Sequence, residues 1–130
     1  MAFDKIPERV DYLSGRVIEA AIKVHRELGP GLLEGVYETC LVYELRKAGL
    51  DTEQQVRLPI VYDGVTLDAE LRIDIWIERS LVVEVKSVET FHPVHQAQIL
   101  TYLKLTKNRL GLLINFNVPL LKSGLKRVVL

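Results

Sequence analysis

The chain has little cysteine, no long apolar run and, after Glu89, no acidic residue. Cys40 is the only cysteine, which excludes an intramolecular disulfide, and its place in a helical pattern is typical of a small core residue. No apolar run approaches the roughly 20 residues that span a bilayer. The N-terminal segment is polar and carries acids, so it does not resemble a signal peptide. These absences predict a cytoplasmic protein that makes no contact with a membrane.

The chain also lacks a net charge, because its formal charge at pH 7 is zero. A neutral chain is not typical of a protein that simply coats a polyanion. The distribution is uneven: residues 1–89 hold 17 acids and 11 Lys or Arg, and residues 90–130 hold six cations and no acid. This basic C-terminal third could guide a phosphate backbone, or the two oppositely charged parts could simply attract each other on folding. The cations that could bind nucleic acid are Lys104, Lys107, Arg109, Lys122, Lys126 and Arg127.

The length of 130 residues and the absence of repeats, low-complexity tracts and linkers predict one domain over residues 1–130. Apolar residues at spacings of three and four predict helices over 7–28 and 33–48, and Pro93 begins a third helix of about 13 residues. Period-two patterns predict strands, with turns at Asp63-Gly64 and at 78–80 and a loop at 119–124. The predicted strands cover 54–62, 65–77, 81–87, 110–116 and 125–130.

Two consecutive hairpins make the first three strands antiparallel, with Pro59 indicating an edge position or a bulge. The third helix is long enough to cross the sheet and place the strand at 110–116 parallel to an earlier one. We therefore predict an α/β sandwich with a mixed β-sheet flanked by helices, in the order αβββαβ with an extra N-terminal helix.

Asp74 and the tripeptide Glu84-Val85-Lys86 are the residues that most suggest chemistry. If the chain turns at 78–80, Asp74 falls opposite Glu84, with Cβ atoms about 5 Å apart. Glu84 and Lys86 share a face because side chains alternate along a strand. The other face of this hairpin would carry core residues, namely Ile73, Ile75, Ile77, Val83 and Val85.

Two opposed carboxylates repel each other unless a cation compensates them. Mg²⁺ or Mn²⁺ prefers oxygen ligands, which Asp74, Glu84 and the backbone carbonyl of Val85 could supply. The metal would activate water for attack on a phosphodiester, and Lys86 could orient that water or neutralise developing charge. The alternative, which is commoner for an isolated Glu-x-Lys on a strand, is a plain salt bridge of Lys86 with Glu84 or Asp74.

The order of elements, with Asp on the second strand and Glu-x-Lys on the third, resembles the PD-(D/E)xK nuclease superfamily. Gly31-Leu32-Leu33-Glu34-Gly35-Val36-Tyr37 also resembles the signature of the GxxExxY protein family, a branch of that superfamily. The resemblance extends over segments 20–37, 96–102 and 112–116, although Ile73 stands where the superfamily's nominal proline would be. It implies a restriction-endonuclease-like core in which Asp74, Glu84 and Lys86 are catalytic.

The same resemblance implies three further kinds of site residue. Glu34 would be an accessory acid near the metal, although an acid is also favoured in the first turn of any helix. Gln98 and Tyr102 resemble the Gln-x-x-x-Tyr motif of RecB-like members, and their i, i+4 spacing places them on one helical face. Tyr37 would support the site as an accessory residue or belong to the core.

Three histidines and one tryptophan have two interpretations each. His25 could cap the first helix or contribute to catalysis. His92 and His95 could touch phosphate, although they lack the spacing of a zinc site. Trp76 could stack on a base or pack beneath a helix.

The sequence and the resemblance thus predict a metal-dependent nuclease that acts on DNA or, less readily, RNA. From the superfamily we also expect that the protein could form a homodimer. The alternative is a catalytically inactive nucleic-acid-binding or assembly module on the same fold. Hydrolysis of a small phosphoester is a third interpretation.

Overall fold

Three α-helices and five strands follow the predicted order within residues 5–130, the part of the chain that the computed structural model describes. The remaining four residues belong to the polar N-terminal segment. The helices are α1 (Glu8–Leu28), α2 (Glu34–Lys47) and α3 (Pro93–Thr106). The strands are β1 (Thr52–Tyr62), β2 (Val65–Ile77), β3 (Leu81–Lys86), β4 (Leu110–Asn115) and β5 (Leu125–Val129). A short 3₁₀ helix, Leu121–Gly124, occupies part of the segment predicted as a loop.

Proline and glycine set the limits of α1. Pro7 precedes its first residue, and the fixed φ of proline suits a helix start. Gly29 ends it with φ 69°, a conformation that costs glycine little, and its N–H donates to the carbonyl of His25 at 2.8 Å. None of the helices in residues 5–130 is long and apolar enough to cross a membrane.

The five strands form one sheet in the order β1-β2-β3-β4-β5. The β3–β4 pair is parallel and the other pairs are antiparallel, as expected from α3 crossing between β3 and β4. Ile77 pairs with Leu81, which is the predicted register of the second hairpin. Both interpretations of Pro59 hold, because β1 is an edge strand and its register with β2 shifts between Pro59 and Val61.

Two apolar clusters lie on opposite faces of the sheet. The larger packs α1 and α2 against one face, and the smaller packs α3 against the other through Ile99, Tyr102 and Leu103. Gly111 of β4 lets α3 approach closely, since a Cβ there would lie 2.5 Å from Cγ2 of Ile99.

One predicted core assignment is wrong. Ile75, Ile77, Val83 and Val85 belong to the larger cluster, as predicted, but Ile73 belongs to the smaller one together with Trp76. In a regular strand, side chains three residues apart point to opposite faces of the sheet. Ile73 and Trp76 therefore share a face only because the alternation of side chains in β2 is interrupted between them. The break falls at Asp74, so the backbone is irregular where the candidate site lies.

Candidate active site

The strands β2 and β3 separate at the two carboxylates. Their backbone pairing extends from Ile77 and Leu81 to Ile75 and Val83. Beyond that point the Glu84 carboxylate accepts a hydrogen bond from the N–H of Asp74 at 2.8 Å, and the Asp74 carboxylate accepts one from the N–H of Val85 at 2.9 Å. The two side chains therefore lie between the strands and take the place of ladder hydrogen bonds, which brings them together as the register predicted.

The strand β1 is irregular at the same level. Gln54 pairs with Ile75 and Val56 with Ile73, which leaves Gln55 opposite Asp74 with φ 53°, in the left-handed region. The Nε2 of Gln55 donates to Oδ1 of Asp74 at 3.2 Å. Asp74 is thus held from both neighbouring strands.

Glu38 of α2 is a polar residue of this region that the sequence reasoning missed. Its side chain is buried and accepts from Nε2 of Gln54 at 2.7 Å and from Nε2 of Gln55 at 3.0 Å. Helical spacing could have identified it, because residue 38 shares a face with the buried Leu41 and Leu45. A carboxylate on an apolar helical face needs a partner, and the glutamines provide it.

Burial controls the charge of Glu84, whose exposed fraction is 3%. Desolvation, followed by the negative charge of Asp74, raises the pKa of Glu84 from 4.5 to about 9, although the Asp74 N–H and Lys86 oppose the shift. Without a cation the Glu84 carboxyl is therefore protonated at neutral pH. A nearby divalent cation would favour its ionised form.

Tyr102 of α3 is buried on the side of the sheet that α3 covers, in the smaller apolar cluster. Desolvation, followed by the charges of Glu84 and Asp74, raises the pKa of the Tyr102 hydroxyl to about 12. This hydroxyl therefore stays protonated and can donate a hydrogen bond near the carboxylates. Gln98, one turn earlier on α3, is exposed.

Lys86 ends β3 half-buried, and its ammonium makes no ion pair within residues 5–130. The plain salt bridge considered for it is therefore not found. His95 lies nearby: burial, followed by the charges of Lys86 and His92, lowers the pKa of His95. Its Nδ1 accepts from the N–H of His92 at 3.2 Å, so the neutral ring carries its proton on Nε2.

The carboxylates fit a hard divalent cation by their chemistry. Asp74 and Glu84 present oxygen donors side by side, and the neutral state of Glu84 indicates a site that needs positive charge before both acids can ionise. Within residues 5–130 no three His, Cys, Asp or Glu side chains are grouped closely enough to hold a metal by themselves. Glu34 instead points to the end of β3, where it accepts a long hydrogen bond from the N–H of Ser87 at 3.4 Å. A cation here would need backbone, water or substrate oxygens as further ligands.

The model of the PD-(D/E)XK nuclease superfamily matches residues 11–128. The chain belongs to this superfamily. Its five-stranded mixed sheet between helices is the restriction-endonuclease-like fold of these nucleases, and nuclease-type hydrolysis of phosphodiesters is the chemistry that membership suggests. No curated protein matches the chain. The narrower assignment to the GxxExxY branch stays a prediction.

Tyr37 has a structural role in this PD-(D/E)XK domain. Its ring is fully buried and stacks on Phe116 with centroids 4.5 Å apart. Its hydroxyl donates to the carbonyl of Gly29 at 2.5 Å and accepts from the N–H of Leu32 at 3.1 Å. These two hydrogen bonds hold the connection between α1 and α2 in place. They therefore also fix the position of Glu34, the first residue of α2.

Two of the residues with open interpretations also have structural roles in this nuclease fold. His25 Nε2 donates to the carbonyl of Val118 at 2.7 Å and so satisfies a backbone group. Trp76 packs beneath α3, and its indole N–H donates to Asn108 at 2.8 Å.

The six C-terminal cations do not lie on one surface of the domain. Arg127 points toward α1, where it lies 3.4 Å from the carboxylate of Asp11, whereas Lys126 lies beside Phe91 and His92 at the start of α3. Lys122 borders a cleft at the end of α1. The other three are the exposed Lys104 and Lys107 of the α3 end and Arg109, which donates to the carbonyl of Leu130.

Proposed function

We propose that the chain is a metal-dependent nuclease that hydrolyses phosphodiester bonds of DNA or, less readily, RNA, with Mg²⁺ or Mn²⁺ as its cofactor. The observation that carries the proposal is that Asp74 and Glu84 lie together between two strands, with the Lys86 ammonium, which forms no ion pair within residues 5–130, on the face of Glu84. Membership of the PD-(D/E)XK superfamily supports the same chemistry.

Asp74, Glu84 and the backbone carbonyl of Val85 would hold the cation. When bound, it would supply positive charge at the phosphate and make water more acidic. Lys86 would donate from its ammonium to a phosphate oxygen or to the attacking water, because no carboxylate within the described range competes for it through an ion pair. The neutral Tyr102 hydroxyl would donate toward the carboxylates and help to fix their orientation.

Nucleic acid is the proposed partner. Residues 1–130 would form a single nuclease domain that binds it. Since the six C-terminal cations lie on different sides, only some of them could touch one backbone path at a time. A homodimer would let two such sites cut the two strands of a duplex. Salt dependence of binding would report how many phosphates are contacted.

Cleavage by two site variants tests the proposal. Glu84→Gln and Lys86→Met should each lower the rate of plasmid and oligonucleotide cleavage in Mg²⁺ by about 100-fold or more. The control is Lys47→Met, which removes a lysine from a surface pair with Glu44 and should leave the rate unchanged. Thermal melts would confirm that all variants fold. Equal cleavage by the wild type and both site variants would contradict the proposal.

A catalytically inactive module for nucleic-acid binding or assembly is the second candidate. It is favoured by the fact that Asp74 and Glu84 each already bind a backbone N–H, and by the lack, within residues 5–130, of a third acid grouped with them closely enough to hold a metal. Calorimetric titration with Mn²⁺ distinguishes the two. Binding of an oligonucleotide that weakens with salt, without any binding of Mn²⁺, would support the inactive module.

A further inference from the structure

Gln55 has a backbone conformation that its position in a strand does not explain. Its φ of 53° is uncommon for a residue with a side chain, and it lies within β1 rather than in a turn. Such conformations cost free energy and persist only where surrounding contacts impose them. The contacts of Gln55 are therefore informative about what the conformation achieves.

The conformation directs the Gln55 amide between two carboxylates. Its Nε2 lies 3.2 Å from Oδ1 of Asp74 and 3.0 Å from each carboxylate oxygen of Glu38. Ionised carboxylates only accept hydrogen bonds, so the amide must turn its NH₂ group toward both of them. Glu38 belongs to α2 and its side chain is buried, so it is a fixed acceptor on one side of this group.

We propose that Gln55 is a positioning residue that holds the Asp74 carboxylate in place for its cation, and that Glu38 fixes the orientation of the Gln55 amide. Gln55 holds one oxygen of Asp74 and the N–H of Val85 holds the other, which leaves the carboxylate a single orientation. Partners of this kind commonly tune metal affinity without touching the metal. The metal part of this inference rests on the proposed function, whereas the positioning of Asp74 does not need a cation.

The neighbouring residue Gln54 provides a matched control. It also donates to Glu38, at 2.7 Å, but makes no hydrogen bond to Asp74. Both glutamines are exposed as whole residues, so methionine can replace either amide with an unbranched side chain of similar length. Gln55→Met removes the donor to both carboxylates, and Gln54→Met removes only a donor to Glu38.

Two measurements on these variants test the inference. Hydrogen exchange of the Val85 amide, measured without metal, reports whether Asp74 still accepts from it. We expect exchange to be about fivefold faster in Gln55→Met, as loss of one hydrogen bond would produce, and unchanged in Gln54→Met. Mn²⁺ affinity measured by calorimetry should fall about 10-fold or more in Gln55→Met and stay at the wild-type value in Gln54→Met.

Unchanged Val85 exchange in Gln55→Met, or an equal increase in both variants, would overturn the positioning role. Equal losses of Mn²⁺ affinity in the two variants would also overturn it, because the effect would then pass through Glu38 alone. If the wild type binds no Mn²⁺, the proposed metal site fails, and Val85 exchange still decides whether Gln55 positions Asp74.

Discussion

Replacement of the buried acid by its amide, Glu84→Gln, should change how the stability of the protein depends on pH. In the unfolded chain Glu84 ionises near its ordinary pKa of 4.5, whereas burial and the charge of Asp74 raise its pKa to about 9 in the folded protein. Between these values the folded state binds more protons than the unfolded state, so the free energy of unfolding falls as pH rises. The stabilising contribution is complete below pH 4.5 and is lost as pH approaches 9.

The magnitude follows from the width of this window. One proton bound only by the folded state changes the free energy of unfolding by at most about 1.4 kcal/mol per pH unit. From pH 6 to pH 8 the wild type should therefore lose about 3 kcal/mol more stability than Glu84→Gln. This difference is a large part of the roughly 5–15 kcal/mol that stabilises a typical domain.

Urea unfolding at pH 6, 7 and 8 in the presence of a chelator measures the difference. The control is Glu70→Gln, which removes a carboxylate from the surface pair with Arg57 and should run parallel to the wild type. Saturating Mg²⁺ should reduce the pH dependence of the wild type, because a cation favours ionised Glu84. Parallel curves for wild type and Glu84→Gln without metal would refute the buried, neutral state of this side chain.

Three other predictions concern the packing around Tyr37 and Gly111 and the protonation of Glu84. Tyr37→Phe keeps the stacked ring but removes two hydrogen bonds across the α1–α2 connection, so urea unfolding should show a loss of about 1–3 kcal/mol. Gly111→Ala should cost about 1–3 kcal/mol in the same assay, since the new Cβ meets Ile99 and displaces α3; unchanged stability would contradict this packing. Mn²⁺ binding at pH 7 should release about one proton, from Glu84, which calorimetry in buffers of different ionisation enthalpy would detect.

The sequence was sufficient to predict the order of elements and the meeting of the two acids. The turn at 78–80 determines the register of the second hairpin, in which the Ile77–Leu81 pair brings Asp74 beside Glu84. The length of α3 was enough to predict the parallel β3–β4 pair. These features depend on local patterns, which a single sequence carries.

The irregularity of β1 and β2 could not be predicted, because strict alternation is assumed when a strand is read from its pattern. Strict alternation places Ile73 on the wrong face, and it gives Gln54 and Gln55 no feature that distinguishes them from ordinary polar residues of an edge strand. Their partner Glu38 reaches them from a separate helix, a contact that depends on how α2 packs on the sheet. Tertiary packing also decides that Glu34 of α2 reaches Ser87 at the end of β3.

The position of a bound Mn²⁺ would show whether Asp74 and Glu84 form a metal site. Crystals soaked with Mn²⁺ and collected at a wavelength that gives its anomalous signal would locate the ion. We expect a peak within about 2.0–2.4 Å of carboxylate oxygens of both Asp74 and Glu84, with Lys86 nearby and not bound to the ion. A saturated crystal with no peak at this pair, or with the ion held elsewhere on the protein, would contradict the claim that these two acids form the metal site of a nuclease.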